Sequence, residues 1–328
     1  MMTPDPLKKI EEYEHIVELL SRVKEPITGD TVQKIDELIK DLDETDDVIY
    51  RVNCMQLVAD LSCTNQGLRI LEEKCVPQKL IRMLEESDPI IVPHALKFFY
   101  RVNPSHLGTK YQAVLEKICD YCQSDNRQLI DYAVDFIAAV GRGGYHARKV
   151  LDAFPSFNDK CLTRLGSSLV SSDSLIKSRT LKCVIDLIEV YEDDPREESS
   201  KLSELFYHKI IEGEHKMTNQ LLGLCRYPFQ EIRVNALLAL AAVAGLEWGQ
   251  KELAASKEFV KWLLDRSTEK SKESKEAKFE ILKAIVKSKT GSKIFGGENY
   301  MKMRADLKNG PFHVGIAEEM LMDNQNAT

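Results

Sequence analysis

Eight cysteines and seven histidines are the side chains of this 328-residue chain best suited to nucleophilic, redox or metal chemistry. The tightest cluster is Cys119-Asp-Tyr-Cys122, whose thiols at i and i+3 share one helix face and could supply half of a tetrahedral zinc site. Two further ligands are needed, and no second CxxC or HxxxH spacing follows. The pair is expected to sit reduced in a core. So are most of Cys54, Cys63, Cys75, Cys161, Cys183 and Cys225, which fall mainly in apolar helical stretches where a thiol behaves as a small hydrophobe. His15, His94, His106, His146, His208, His215 and His313 are scattered. His208 and His215 could share a helix face, but Gly213 stands between them and no third ligand is near. Gly141-Arg-Gly-Gly144 closes a helix, follows no strand and has no Lys-Ser/Thr after it, so it is read as a helix C-cap and not a phosphate loop. Lys289-Thr-Gly-Ser-Lys293 lacks the glycine-rich turn as well, and reads as a lysine-rich helix end. A Cys–His nucleophile pair, whose members need only meet in space, is the enzymatic alternative; it requires one thiol that a mild alkylator labels ahead of the rest. The reading favoured here is no enzyme, no cofactor, no metal and no small-molecule substrate.

The elements that carry these residues follow from composition and period. Hydrophobic residues make up 43% of the chain and charged ones 30%, enough for a packed core and incompatible with disordered or collagenous classes. With 52 acidic and 45 basic side chains the formal net charge is −7, against the strongly basic footprint of a nucleic-acid binder. The longest apolar run, 236–246, falls far short of the roughly 20 residues of a membrane span. The start, MMTPDPLKKIEEYEH, meets acidic residues before any apolar region, so no secretory signal is expected. The lysine-rich stretch from Glu269 to Lys289 interleaves acids at helical spacing and has no repeated aromatic interleaving, which predicts a solvated helix with i,i+4 pairs and no base-stacking surface.

One pattern recurs: an LxxLL-like helix, a polar turn, then a longer apolar helix. The copies pair IDELIKDL (35–42) with 48–61, KLIRMLEES (79–87) with 90–102, and VLEKICDYC (114–122) with 127–140. Three more pair CLTRLGSSLV (161–170) with 175–190, NQLLGLC (219–225) with 232–244, and FVKWLLDRS (259–267) with 273–286. Anchoring each long helix at Cys54, Ala95, Ala133, Thr180, Ala236 and Lys278 gives spacings of 41, 38, 47, 56 and 42 residues, those of armadillo or HEAT arrays. Short amphipathic segments at 67–75, 145–154 and 248–256 supply a third helix per unit and favour armadillo. The expected fold is all-α, a right-handed α-α superhelix of armadillo/HEAT-like repeats. It should form one solenoid over 1–317, with about six repeats behind capping helices, and a polar, frayed tail over 318–328. The helix at 7–23 carries polar residues on one face, as either a cap or an internal helix of a longer array would. EDDPREESS (192–200) is expected to be a solvated loop, with helix resuming at Lys201.

In such an array the third helices line the inner wall, and positions two and six beyond each anchor should point into it. These are Gln56 and Asp60, Lys97 and Arg101, Asp135 and Ala139, Lys182 and Asp186, Leu238 and Ala242, and Glu280 and Ala284. The predicted partner site is therefore Gln56, Asp60, Lys97, Arg101, Asp135, Lys182, Asp186, Leu238 and Glu280, mostly charged and apolar at the fifth unit. The competing explanation is that exposed helix positions are polar in any case.

The last third carries ordered blocks beyond repeat grammar: Tyr227-Pro-Phe-Gln-Glu-Ile-Arg233, Glu247-Trp-Gly-Gln250, Phe259-Val-Lys-Trp-Leu-Leu-Asp-Arg-Ser267, the helix 274–284, Ser288-Lys-Thr290, Ile294-Phe-Gly-Gly-Glu-Asn-Tyr300 and Asn309-Gly-Pro-Phe-His-Val314. This region resembles the C-terminal part of the proteasome non-ATPase regulatory subunit 5 family, and 48–153 resembles its middle repeats more loosely. The resemblance implies a cytoplasmic (and nuclear) non-catalytic solenoid that chaperones assembly of the regulatory-particle base. It would hold the C-terminal domain of one AAA ATPase subunit together with neighbouring base subunits, with no nucleic acid or membrane as partner. That family usually carries several more repeats ahead of the matched region. The alternative is a generic armadillo scaffold for an extended peptide, whose grooves usually repeat Trp and Asn at the two inward positions. Here those positions hold neither, and the only tryptophans are Trp248 and Trp262.

Overall fold

Polar turns between apolar helices become helix caps. The computed structural model describes residues 6–22, 28–86, 88–213 and 215–313; the expected frayed tail, 318–328, lies outside them. Among the described residues there are twenty α-helices and no strand. The chain divides into two compact units, Met1–Cys161 and Leu162–Thr328, each taken by itself below.

The first unit holds α1 (Pro6–Arg22), α2 (Gly29–Glu44), α3 (Val48–Leu61), α4 (Asn65–Glu73), α5 (Val76–Glu86), α6 (Ile91–Arg101), α7 (Pro104–Thr109), α8 (Gln112–Gln123), α9 (Arg127–Gly141) and α10 (Gly144–Ala153). A wider π-type turn, Phe157–Leu162, follows. Asp47 Oδ1 accepts from the Ile49 and Tyr50 amides at the start of α3, and Asn126 Oδ1 accepts from Gln128 N at the start of α9. Each such cap is worth about 1 kcal/mol. Gly141, Gly143 and Gly144 form the corner between α9 and α10, but the expected glycine C-cap is not what ends α9: the cap residue is Arg142, with helical φ, and the positive φ of 78° falls at Gly144, where α10 begins. Along the unit α3 packs on α6 and α6 on α9, their small anchors Cys54, Ala95 and Ala133 wholly buried at the crossings. The helix α1 lies against α2 and α3, and one carboxylate holds it there: Asp41 accepts from Lys9 Nζ (2.9 Å), Tyr13 Oη (2.8 Å) and Tyr50 Oη (2.6 Å). Burial pushes the Asp41 carboxyl up, but the hydrogen bonds from Tyr50, Lys9 and Tyr13 outweigh it and leave the group below the usual carboxylate range.

The second unit holds α11 (Thr163–Val170), α12 (Ser174–Ile188), α13 (Arg196–Ile210), α14 (Lys216–Leu224), α15 (Gln230–Ala244), α16 (Glu247–Ala255), α17 (Lys257–Leu264), α18 (Lys272–Lys287), α19 (Gly291–Phe295) and α20 (Gly297–Asn309). Asp173 caps α12, Ser256 caps α17 and Ser271 caps α18. The third helices again pack in order, α12 on α15 and α15 on α18. The expected loop over 192–200 is half helix. The helix α13 starts at Arg196, because Glu197 and Glu198 in its first turn suit the positive end of the helix dipole and Ser199 turns inward to Asp194 Oδ2 (3.0 Å). This long leading helix accounts for the widest spacing between anchors.

A backbone contact recurs at the joint from one repeat to the next. A Cβ added at Gly67, Gly249 or Gly291 would meet the carbonyl oxygen of Leu61, Val243 or Ile285 at 2.4, 2.1 or 2.3 Å, always six residues back. Only glycine lets the first helix of a repeat press that closely onto the end of the preceding third helix. Among the described residues no single helix is long and apolar enough to cross a membrane.

Candidate functional site

In each unit the third helices carry the predicted partner residues, and their packing decides what each can offer. In the first unit Gln56 and Asp60 follow Cys54 on α3 at spacings that leave the apolar seam, and Lys97 and Arg101 do the same on α6. All four are half-buried and close on one another. Lys97 Nζ donates to Gln56 Oε1, Arg101 Nη1 donates to Asp60 Oδ1, and Gln56 Nε2 donates along its own helix to Asp60 Oδ2 at 2.8 Å. Two polar rungs thus join consecutive repeats. Beside them, Glu14 and Glu18 of α1 line a cleft of about 300 Å³ together with Gln56 and Asp60. Asp135 on α9 is exposed, and its charge raises the Tyr100 hydroxyl pKa, although burial is the larger cause and the nearby Arg142 opposes both. A cleft of about 840 Å³ lies away from these positions among α7, α8 and α10, where Gly108, Leu115, His146 and Val150 line it.

In the second unit Lys182 of α12 reaches forward to Glu231 of α15 at 2.7 Å, and Gln230 of α15 donates to Glu273 of α18 at 2.9 Å. Beneath the first contact Asn235 Nδ2 donates to Ser178 Oγ, both buried, at 3.2 Å. Asp186 is half-buried, Leu238 is 37% exposed on α15, and Glu280 pairs with Lys283 on α18 at 2.8 Å. At the far end of α15, Ala242 borders a cleft of about 390 Å³ whose other wall includes Glu189, Glu192 and Asp194. The chemistry available on both walls is hydrogen bonding and contact, with charges largely spent on rungs between repeats.

Three features escaped sequence reasoning. The lysine-rich helix is solvated at Lys272 and Lys283, as its spacing implies, but its anchor Lys278 is only 6% exposed. Its ammonium donates to Trp262 O, Asp265 O and Thr268 Oγ1, each at 2.7 Å, and lies 4.5 Å from the Trp262 ring centroid. It therefore adds a charged donor to two carbonyls at the end of α17 that also accept from the Asp265 amide and the Thr268 hydroxyl. Burial holds Lys278 down to about 8, with Glu269 and Asp265 opposing, and burial likewise lifts the Glu269 carboxyl above the usual range. The second is the Asp41 node. The third is Cys161, which joins Cys119 and Cys122 in one buried group with Cys119 Sγ and Cys161 Sγ 3.5 Å apart. Two cysteines depart from the expected core placement: Cys63 and Cys75 are exposed, in the turns that follow α3 and α4. His215 Nδ1 meets Glu252 Oε1 at 2.9 Å while His208 lies against Trp248. Among the described residues, no group of three or more His, Cys, Asp or Glu side chains is placed to hold a metal ion.

Comparison with known proteins extends these observations. The family described as "Proteasome non-ATPase 26S subunit" matches residues 8–324. The chain is 28% identical over 324 residues to 26S proteasome non-ATPase regulatory subunit 5 of Bos taurus, covering 96% of this chain and 63% of that protein. Its identity to the Homo sapiens protein of the same name is 26% with the same coverage, and to that of Drosophila melanogaster 23%, covering 90% and 58%. The chain thus spans less than two thirds of the length of these relatives. A designed armadillo repeat protein in complex with peptide (KR)4 superposes with a TM-score of 0.53 at 14% identity, covering 76% of this chain and 98% of that one. An engineered protein gives 0.51 at 17%, covering 76% and 97%. These likenesses identify the fold as armadillo.

Proposed function

From the premise that this chain belongs to the 26S proteasome non-ATPase regulatory subunit 5 family, we propose that it is a non-catalytic chaperone of regulatory-particle base assembly. In this reading it binds the C-terminal domain of one AAA ATPase subunit of the base, and through it neighbouring base subunits, in the cytoplasm and nucleus. The observation that carries the proposal is the family match across 8–324 on an armadillo fold. The partner is assigned to the third-helix wall: the rungs Gln56–Lys97 and Asp60–Arg101 with Asp135 in one unit, and Lys182, Asp186, Leu238 and Glu280 in the other. Both units repeat the same three-helix grammar, the ground for reading 1–317 as one array.

A second reading, a general scaffold for extended peptides, is favoured by the designed armadillo protein that holds peptide (KR)4. It is weakened here because the two wall positions of each repeat hold neither Trp nor Asn. Affinity purification of the tagged chain from cell extract, read by mass spectrometry, separates the two. Recovery of base ATPases without the proteolytic core supports the chaperone. Binding of free Lys/Arg-rich peptides with no ATPase recovered supports the scaffold and ends the chaperone proposal.

A further inference from the structure

The buried thiol group on α8 has a geometry that packing alone does not require. Cys119 and Cys122 stand one turn apart on α8, and Cys161 meets them from the π-type turn Phe157–Leu162. Cys119 Sγ and Cys161 Sγ are 3.5 Å apart, and the Cys122 thiol reaches Cys161 too. A disulfide needs sulfurs at about 2.05 Å, so closing the first pair asks for a sulfur shift of only about 1.5 Å. The segment that would move is the π-type turn, a helical form that occurs mostly in short pieces and often at functional sites. Its Lys160 carbonyl accepts from Gln123 Nε2, and its Lys160 ammonium stands 3.6 Å from Asp120, next to Cys119.

We propose that Cys119 and Cys161 form a peroxide-sensitive, reversible disulfide in the folded protein. The hydrogen bond from Cys161 holds the Cys119 thiol below the usual range against the opposing effect of burial, and the Lys160 charge adds to it; the same contact drives Cys161 up. Cys119 is therefore the attacking thiolate. Its sulfur attacks one oxygen of hydrogen peroxide, the O–O bond breaks, and hydroxide leaves and takes up a proton as water. The Cys161 sulfur then attacks the resulting sulfenic acid, its thiol proton leaves with the second hydroxide as water, and the S–S bond closes. Two thiols lose two electrons, and one peroxide becomes two waters. A dithiol reductant reverses the bond by exchange.

The full chain, titrated with hydrogen peroxide, alkylated and digested without reductant, tests this by mass spectrometry. The expected result is a Cys119–Cys161 linked peptide, two hydrogens lighter than its parts. It should appear before Cys54, Cys183 or Cys225 changes and should be lost on treatment with dithiothreitol. Cys161→Ser should abolish the link and leave Cys119 as a sulfenic acid that dimedone traps. The proposal is overturned if both thiols alkylate at full yield after peroxide has oxidised the exposed Cys63 and Cys75, or if Cys161 links to Cys122 instead. The wild-type peptide map decides even if the serine variant does not fold.

Discussion

Replacing Lys278 with methionine keeps chain length and apolar contact while removing the ammonium. The change deletes three donated hydrogen bonds, each 2.7 Å, and the cation over the Trp262 ring. Trp262 O keeps only the Asp265 amide and Asp265 O only the Thr268 hydroxyl, and Glu269, 5% exposed, loses one of the two positive charges that act on it, leaving Arg233. Hydrogen bonds to a charged donor are worth about 1.5–3 kcal/mol each but do not add, and a buried carboxylate left with less opposing charge costs more again. We expect Lys278→Met to destabilise the second unit by about 4 kcal/mol, lowering its melting temperature by about 10 °C in circular dichroism. Adding Glu269→Gln should recover a measurable part, because an uncharged pair has no stranded carboxylate. The pH dependence has a fixed sign. Because burial holds Lys278 down to about 8, between there and the ordinary lysine value of about 10.4 the unfolded chain keeps a proton the folded chain has released. Wild-type stability therefore rises with pH across that window relative to the methionine variant, widening their gap by about 1–3 kcal/mol. A melting temperature within about 2 °C of wild type, or a gap that narrows as pH rises, refutes the reasoning.

Four further outcomes are expected. Asp41→Asn should cost about 2 kcal/mol through loss of charge-assisted bonds to Lys9, Tyr13 and Tyr50; faster amide exchange across α1 would report it, and unchanged exchange would remove Asp41 as the clamp. The same carboxylate, held below its usual range, stabilises the fold above about pH 4, and its contribution should fade as acid protonates it, which acid titration of wild type against Asp41→Asn measures. Gly249→Ala drives a methyl to 2.1 Å from Val243 O and 2.6 Å from Val243 Cγ1; a loss of about 2–3 kcal/mol in urea unfolding is expected, whereas an unaffected midpoint would show that the joint yields. Arg101→Glu sets two acids on one rung and should weaken both the first unit and recovery of base ATPases. Adding Asp60→Arg should restore stability by reversing the pair while recovery stays low, and full recovery would exclude this wall as the interface.

The helical grammar was legible because each signal is local. Asp47, Asn126 and Asp173 mark caps, the period of the long helices marks their buried seam, and the anchors Cys54 to Ala236 are all fully buried. The twelve positions two and six beyond the anchors are every one half-buried or exposed, as their place outside the apolar seam implies. Sequence could not show that Lys97 and Arg101 spend their donors on Gln56 and Asp60, because those partners lie 41 residues away. Lys278 escaped for a related reason: its stretch has the charge pattern of a solvated helix, and only the path of the preceding turn brings Trp262 O and Asp265 O to its tip. Cys161 was counted as an isolated core thiol, since nothing in the i,i+3 spacing of Cys119 and Cys122 announces a third member from a distant turn. The start of α13 was missed because acids, Pro195 and serines are loop composition as well as helix-start composition.

The glycine joints separate two jobs that most helical proteins mix. Between α15 and α16 the chain turns through an elbow of 116°, and Gly249 meets the carbonyl of Val243 inside it. Direction at that elbow is dictated by main-chain atoms touching main-chain atoms, with little vote from the residues on the opposite surface. Those residues are free to drift, and a new binding specificity could be written onto them without bending the scaffold that displays it.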